Sequence, residues 1–257
     1  MCLLILAHQI SSDYPLLVAA NRDEFHARPT AASHFWPEHP ELLAGQDLLQ
    51  GGTWMGMTRS GRFAAVTNYR DPAHTPEAPR SRGELSLKYL TGSQTPKDFL
   101  GDIATRADHY AGFNLLVGDR NSLWYYTNSD AQGPQSLAPG VYGLSNATLD
   151  TPWPKVILGK ANMLALLETG SMSHRALADV VSSQRQADQS SLSAQGLDGT
   201  MESALSSQFI VTDDYGTRSS TTLWFDAQAQ AGWLELSFNA QGVLREVQHK
   251  DISLSDE

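Results

Sequence analysis

Two continuous apolar runs, Leu3-Leu4-Ile5-Leu6-Ala7 and Leu16-Leu17-Val18-Ala19-Ala20, flank the turn signal Ser11-Ser12-Asp13-Tyr14-Pro15. The pattern predicts an antiparallel hairpin. Neither run alternates apolar with polar positions, so both strands are expected to be covered above and below. Facing residue numbers in such a pair sum to a constant. A turn centred near Ser12 therefore sets Cys2 against the stretch from Asn21 to Glu24.

The same reading predicts a hairpin from Trp54 to Met57 and Phe63 to Asn68, turning at Ser60-Gly61, after a Gly51-Gly52 pair that permits close backbone approach. Another runs from Phe113 to Gly118 and Leu123 to Thr127, turning at Asp119 to Asn121, and Val141 to Asn146 is a short strand. Strands are also expected at Gln208 to Thr212, Arg218 to Asp226, Trp233 to Asn239 and Leu244 to Gln248. Thr95-Pro96 is an N-cap with proline at the first helical position, followed by Phe99, Leu100, Ile103 and Ala107 at helical spacing. Trp153 to Leu167 reads as an amphipathic helix carrying Val156, Ile157, Met163, Leu164 and Leu167, and Ser173 caps a short helix through Val181. Tyr69 to Arg82 holds three prolines and no large aliphatic residue, the pattern of a functional loop. Ser182 to Ser203 is polar and predicts a loose surface excursion. Antiparallel hairpins in groups, with helices clustered between them, give a layered α+β arrangement with mainly antiparallel sheets.

Composition narrows the function. The 257 residues, 41% hydrophobic with six tryptophans, are read as one domain over 1–257 with a substantial core. A net charge of −10 argues against a nucleic-acid partner. The lone cysteine excludes an intramolecular disulfide and a multi-thiolate zinc site. No G-x-G-x-x-G follows a strand, and there is no Walker lysine motif. Leu3 to Ala7 lacks a basic n-region and is too short for a signal h-region, and no apolar run reaches the length of a membrane span. A cytoplasmic protein without cofactor or metal is expected.

Cys2 follows the initiator methionine directly. Removing Met1 would put a thiol and a free α-amino group on one residue, a nucleophile with its own base. The amine titrates near ~7.7–8.0 and the thiol near ~8.5, so proton transfer between them is nearly thermoneutral. Asn21-Arg22-Asp23-Glu24 closes the second strand and faces Cys2 in the predicted register. Arg22 would favour the thiolate, and Asp23 or Glu24 would hold the α-ammonium. Alternation puts Arg22 and Glu24 on one face and Asp23 on the other unless a bulge intervenes. Asn68 and Asn146 end strands and carry amides of the type found in oxyanion holes. Arg218 begins a strand of small hydroxyl residues.

Taken together, Met1-Cys2, Asn21-Arg22-Asp23-Glu24, Gly51-Gly52-Thr53-Trp54, Asn68, Tyr142-Gly143-Leu144-Ser145-Asn146 and Tyr215-Gly216-Thr217-Arg218-Ser219-Ser220 resemble the NRDE-motif family, the homologues of transport and Golgi organisation protein 2. The resemblance spans nearly the whole chain. That family is similar in pattern to the cholylglycine hydrolase and penicillin V acylase group of N-terminal nucleophile hydrolases. The resemblance implies a four-layer αββα sandwich. It also implies Cys2 as nucleophile, Arg22 with Asp23 or Glu24 as the arginine–carboxylate pair, Asn68 and Asn146 as the two asparagines, and Arg218 as the C-terminal arginine. In those hydrolases two residues separate the arginine from the aspartate, whereas Arg22 and Asp23 are adjacent, so either carboxylate fills the role. Asn21, Trp54, Tyr69 and Arg70, within or beside the matched motifs, are expected to contact substrate.

Three readings follow. The first is a hydrolase or acyltransferase acting on a small-molecule acyl amide or thioester. The second is a non-catalytic carrier of acyl-CoA, lipid or haem on the same fold, with Arg70, Arg80 and Arg82 as phosphate forks. His26, His34 and His39 lack a recognisable haem-ligand spacing. The third is a serine hydrolase, since Gly143-Leu144-Ser145-Asn146-Ala147 approximates a nucleophile elbow, with alanine replacing the final glycine and no parallel context around it.

Overall fold

Two antiparallel sheets stack face to face, and each carries helices on its outer side. The computed structural model describes residues 2–70, 78–193 and 200–255. Met1, half of the proline-rich loop (71–77), the middle of the polar excursion and the last two residues lie outside the described residues. The elements in chain order are β1 (Cys2–His8), β2 (Leu16–Phe25), β3 (Thr30–Trp36), β4 (His39–Asp47), β5 (Met55–Thr58), β6 (Phe63–Asn68), α1 (Gly83–Thr91), α2 (Pro96–Ala104), β7 (Phe113–Gly118), β8 (Leu123–Thr127), β9 (Gln135–Ser136), β10 (Gly140–Leu144), α3 (Pro154–Thr169), α4 (His174–Asp179), α5 (Gln189–Ser193), α6 (Thr200–Leu205), β11 (Tyr215–Phe225), β12 (Gln230–Phe238) and β13 (Leu244–Ser253). The first sheet runs β10-β1-β2-β11-β12-β13 and the second β3-β4-β5-β6-β7-β8-β9.

The unbroken apolar runs of β1 and β2 are explained by the two faces they serve. Leu4, Leu6, Leu16 and Val18 point between the sheets, against Met57, Phe63 and Leu116 of the second sheet. Leu3, Ile5, Leu17 and Ala19 point the other way, under Val156 and Met163 of α3 and Leu177 of α4. On the far side, Leu85 and Tyr89 of α1 and Phe99 and Ile103 of α2 cover Val66, Leu115 and Val117. The result is helix, sheet, sheet, helix, the four-layer αββα stack.

Thr95 caps α2, its side chain accepting from the Asp98 N–H, and Ser173 caps α4 by accepting from Ala176. Four features depart from the sequence reading. β3, β4 and the minor strand β9 form where the pattern predicts no strand, because their apolar positions are few and irregularly spaced. α1 forms directly after the proline-rich loop without a side-chain N-cap. Gln208 to Thr212 is not a strand: Val211 makes a single bridge to Gly216, and the Ile210 carbonyl accepts from the Thr217 N–H. The polar excursion contains the short helices α5 and α6. In α3, Val156 and Met163 are buried, whereas Ile157 and Leu164 face solvent.

One buried carboxylate ties the layers together. Glu235 of β12, 1% exposed, accepts from the Ser33 N–H of β3 at 2.7 Å. Burial first of all raises its pKa above the ordinary carboxylate range, against the bonds from Ser33 and Thr221 and the Arg22 charge. A carboxyl raised in the folded state contributes stability below its unfolded pKa, and that contribution is lost as pH rises through the folded value. Glu235→Gln keeps an acceptor for Ser33 and removes the ionisation. The variant is expected to be more stable than the parent at pH 8, by ~1.4 kcal/mol for each pH unit that separates the folded from the unfolded pKa, and to lose that advantage at pH 4. Thermal melts across this range check it; a parent and variant that differ equally at both ends refute it.

Candidate active site

Cys2 lies at the open end of the first sheet with a strand on each side. On β2 the register pairs Cys2 with Arg22, and Leu3 with Asn21. On β10 it pairs Leu4 with Leu144 and Ile5 with Gly143, and continuing that register brings Asn146 opposite Cys2. The Cys2 main-chain N–H donates to Asn146 Oδ1 at 3.3 Å, and Ser145 Oγ donates to the Cys2 carbonyl at 2.8 Å. The second sheet closes the corner: Asn146 Nδ2 donates to the Asn68 carbonyl at 2.7 Å, Thr67 Oγ1 to the Ser145 carbonyl at 2.6 Å, and the Arg70 N–H to the Asn146 carbonyl at 2.7 Å.

Alternation decides what faces the sulfur. Even-numbered positions of β1 and β2 point between the sheets, so Cys2 and Arg22 share that face and Asp23 points toward the helices. A bulge does occur, but on the neighbouring strand: Thr217 pairs with Asp23 and Ser219 with Arg22, leaving Arg218 as the extra residue.

The Arg22 side chain is 6% exposed, its guanidinium is 4.2 Å from the Trp54 ring centre, and Nη2 is 3.8 Å from Glu24 Oε2. Its Nη1 is buried with no hydrogen-bond partner among the described residues. Cys2, Arg22, Glu24, Trp54, Asn68 and Arg82 are among the residues lining a cleft of ≈ 600 Å³. A second cavity of ≈ 430 Å³ at the other end of the sandwich is lined by residues such as His8, Asp119 and Asp226 and holds no cysteine.

Charge in the site is strongly shaped by burial. Burial pushes the Cys2 thiol up, while Arg22 and the main-chain N–H of Asp23 act to lower it, and the Asp23 carboxylate raises it further. Burial likewise raises Asp23, against the Lys155 ammonium and the Thr217 hydroxyl, which donates to Asp23 Oδ1 at 2.7 Å. Lys155 of α3 is itself 3% exposed, is lowered by burial, and donates to the Leu205 carbonyl at 2.9 Å. The two candidate carboxylates thus have different surroundings. Asp23 is buried beside Lys155 and interacts electrostatically with Cys2, whereas Glu24 accepts from the Phe25 N–H and lies 3.8 Å from both Arg22 and Arg28.

Several expected residues have other partners. Asn146 presents its oxygen to Cys2 because a main-chain N–H requires an acceptor, and its nitrogen then meets the Asn68 carbonyl. Both Nδ2 hydrogens of Asn21 are spent on the Val181 and Gln208 carbonyls at 2.7 and 2.8 Å, and its oxygen accepts from Ser220. Arg218 is half-buried and donates to the Phe25 and Arg28 carbonyls. Arg70 pairs with Glu202 of α6, Arg80 with Glu84, and Arg82 donates to the Gly112 carbonyl at 3.1 Å. The Tyr69 N–H bonds the Gly112 carbonyl. His26 and His34 bond the main-chain carbonyls of Thr212 and Ala32. Sequence reasoning missed Lys155 and Thr217. A single lysine on a helix reads as solvent-facing, and its burial depends on a chain segment whose composition predicts no structure.

The glycines before the second hairpin do permit close approach: a Cβ on Gly52 would lie 2.5 Å from the Gly83 carbonyl carbon, where α1 begins. Gly45 has a more direct link to the site. A Cβ there would meet Trp54 Cη2 at 2.3 Å and Cζ2 at 2.5 Å. Gly45→Ala is expected to push the indole off Arg22, cost ~1–3 kcal/mol as overpacking, and shift tryptophan emission. Unchanged melting and emission would sink this account.

The family model described as Transport and Golgi organisation 2 matches residues 1–240. The bovine and human Transport and Golgi organization protein 2 homologs are 36% and 35% identical over 240 residues, in each case 87% of this chain and 87% of the relative. The Drosophila melanogaster Transport and Golgi organization protein 2 is 33% identical over 60% of each chain. A Caenorhabditis elegans ortholog of N-acylethanolamine-hydrolyzing acid amidase superposes with a TM-score of 0.54 at 11% identity, covering 86% of this chain and 92% of that one. The C2A mutant of conjugated bile acid hydrolase from Clostridium perfringens superposes with a TM-score of 0.52 at 10% identity, covering 100% and 95%. Both are N-terminal nucleophile hydrolase folds, and the αββα stack described above is of that kind. No helix among the described residues is long and apolar enough to cross a membrane.

Proposed function

The chain belongs to the Transport and Golgi organisation 2 family, and from that premise and the surroundings of Cys2 we propose that it is an N-terminal nucleophile hydrolase or acyltransferase acting on a small-molecule acyl amide or thioester. The observation that carries this reading is the placement of Cys2 in one cleft with a buried, incompletely bonded arginine, its main-chain nitrogen held by Asn146. After loss of Met1 that nitrogen is the α-amine. Asn146 Oδ1, two residues past the end of β10, holds it, and Asp23, buried next to Cys2 in the register, is the carboxylate that fixes its charge. Asn146 therefore positions the base.

The Cys2 thiol passes its proton to the α-amine, and the thiolate attacks the acyl carbonyl carbon. The Arg22 guanidinium and the Asn68 amide, from two residues that line the cleft, stabilise the oxyanion. The C–N or C–S bond to the leaving group breaks, and the α-ammonium returns a proton to it. Water, deprotonated by the same amine, then attacks the thioester and releases the acid and the thiolate. In the acyltransferase variant another nucleophile takes the place of water.

Intact-mass measurement tests this. The purified chain is expected to lack Met1 and, with an activated acyl ester, to gain one acyl group that maps to the N-terminal peptide. A chain that keeps Met1 and gains no acyl group refutes the proposal.

A further inference from the structure

We propose that His174, His249 and Asp251 form a binding site for a divalent first-row transition metal ion, with zinc as the probe, on the outer face of the first sheet. The site is independent of the Cys2 chemistry. It joins α4 to the edge strand β13, and both of its strand ligands lie beyond residue 240, where the family match ends.

The strand periodicity builds it. Ile252 belongs to the core between the sheets, so His249 and Asp251, two residues apart, share the opposite face with the helices. By the same alternation Leu223 and Phe225 of β11 point inward, and Thr222 and Trp224 point out toward α4. His174 meets them there: its Nδ1 is 2.7 Å from Thr222 Oγ1, and its ring centre is 6.0 Å from that of Trp224. The potential ligand atoms of His174, His249 and Asp251 all lie within 4.8 Å of one another. The two imidazoles meet edge to face at 5.2 Å, and His249 Nε2 is 3.5 Å from Asp251 Oδ1.

His174 Nε2 points to the occupant. It is buried and has no hydrogen-bond partner among the described residues. A buried ring nitrogen without a partner has lost its water and gained nothing in return. In the tautomer whose Nδ1–H donates to Thr222 Oγ1, Nε2 keeps an unused lone pair. A second bond that fixes the tautomer is the usual support of a metal-ligating histidine. Two imidazoles and one carboxylate suit zinc, nickel or copper; calcium and magnesium prefer all-oxygen sites. Such ligands sit about 2.0–2.2 Å from zinc. His249 and Asp251 side chains, 50% and 71% exposed, have the rotamer freedom to close to that distance.

The test is calorimetric titration of zinc into the full chain after chelator treatment, repeated in Cys2→Ala because a free thiol also binds zinc. One saturable site is expected in both, at least tenfold weaker in His249→Ala and in Asp251→Ala, whose exposed positions leave folding unaffected. Thr222→Val is expected to weaken binding by about 10–100-fold through loss of the tautomer-fixing bond. Zinc affinity that is unchanged in His249→Ala and Asp251→Ala, or that disappears with Cys2, overturns the proposal.

Discussion

Cys2→Ala is expected to lower turnover of an acyl amide by on the order of 10⁴-fold or more, the scale on which loss of a covalent nucleophile is felt, with little change in folding. The two effects separate because Cys2 packs at the edge of the core, not within it. Cys2 is half-buried at the end of β1, and β1 is anchored by Leu3 to Ala7 between two hydrophobic layers. Truncating one atom at such a site costs within ~1 kcal/mol. Cys2→Ser keeps the α-amine and the register but substitutes a hydroxyl, which ionises far less readily than a thiol, so its turnover is expected to fall as well and to remain above that of the alanine variant. Kinetics on a panel of acyl amides and thioesters, with thermal melts alongside, make the measurement. Turnover equal to the parent in both variants, with melts unchanged, would remove the thiol from the reaction.

The first two strands make this site legible from the sequence alone. Two apolar runs and a turn are enough to set the sum of paired residue numbers, and that sum places Cys2 beside the Asn21 to Glu24 stretch; the structure pairs it with Arg22. Alternation then separates Arg22 from Asp23, in the sequence pattern and in the fold alike. The four-layer stack is legible through the resemblance and through runs that are apolar on both faces. β3 and β4 are not. Thr30–Trp36 and His39–Asp47 carry polar residues, a proline and few large aliphatics, because they are buried only at Ser33, Trp36 and Leu42 to Gly45. α1 is hidden for a different reason: it starts without a side-chain N-cap directly after the proline-rich loop, although Gly92 follows its last residue, and its buried face carries Leu85, Tyr89 and Leu90.

Side-chain partners are the least legible part of the site. The role of Asn146 depends on whether its oxygen or its nitrogen faces Cys2. That choice is made by a main-chain N–H on another strand and a carbonyl on another sheet. Lys155 is buried and donates to the Leu205 carbonyl at the end of α6, a helix that starts inside the Ser182 to Ser203 stretch read as a solvated excursion and ends two residues past it. The motif around Trp54 predicts a substrate contact, and the structure places the indole over Arg22, in the space that Gly45 leaves open. In each case the information lies in contacts between residues far apart in sequence, which no local pattern records.

Arg22→Met is expected to move the pH dependence of thiol alkylation to higher pH and to reduce turnover at neutral pH by about 10–10³-fold, the range that follows when loss of an opposite charge raises a pKa by about one to three. The sign follows from the balance at Cys2. Burial holds the thiol above its ordinary value, and Arg22 lowers it. Removing the guanidinium leaves burial less opposed, the thiol pKa rises, and at any pH below it the thiolate fraction falls tenfold for each pH unit of that rise. The fold is expected to tolerate the change. Arg22 is buried with an unbonded Nη1, and an apolar side chain of similar length relieves that desolvation while still meeting Trp54; replacing a buried ion by a hydrophobe is often neutral or stabilising. Glu24, 3.8 Å from Arg28 as well, keeps a cationic neighbour. Arg22→Lys separates charge from geometry: it retains the positive charge and loses the planar fork, so its alkylation profile is expected to stay near that of the parent while its turnover falls for want of the guanidinium contact to the oxyanion. Alkylation rates with iodoacetamide from pH 6 to 10, read beside kcat and KM for the three proteins, distinguish these effects. An Arg22→Met profile superimposed on that of the parent would show that the guanidinium does not set the state of the thiol.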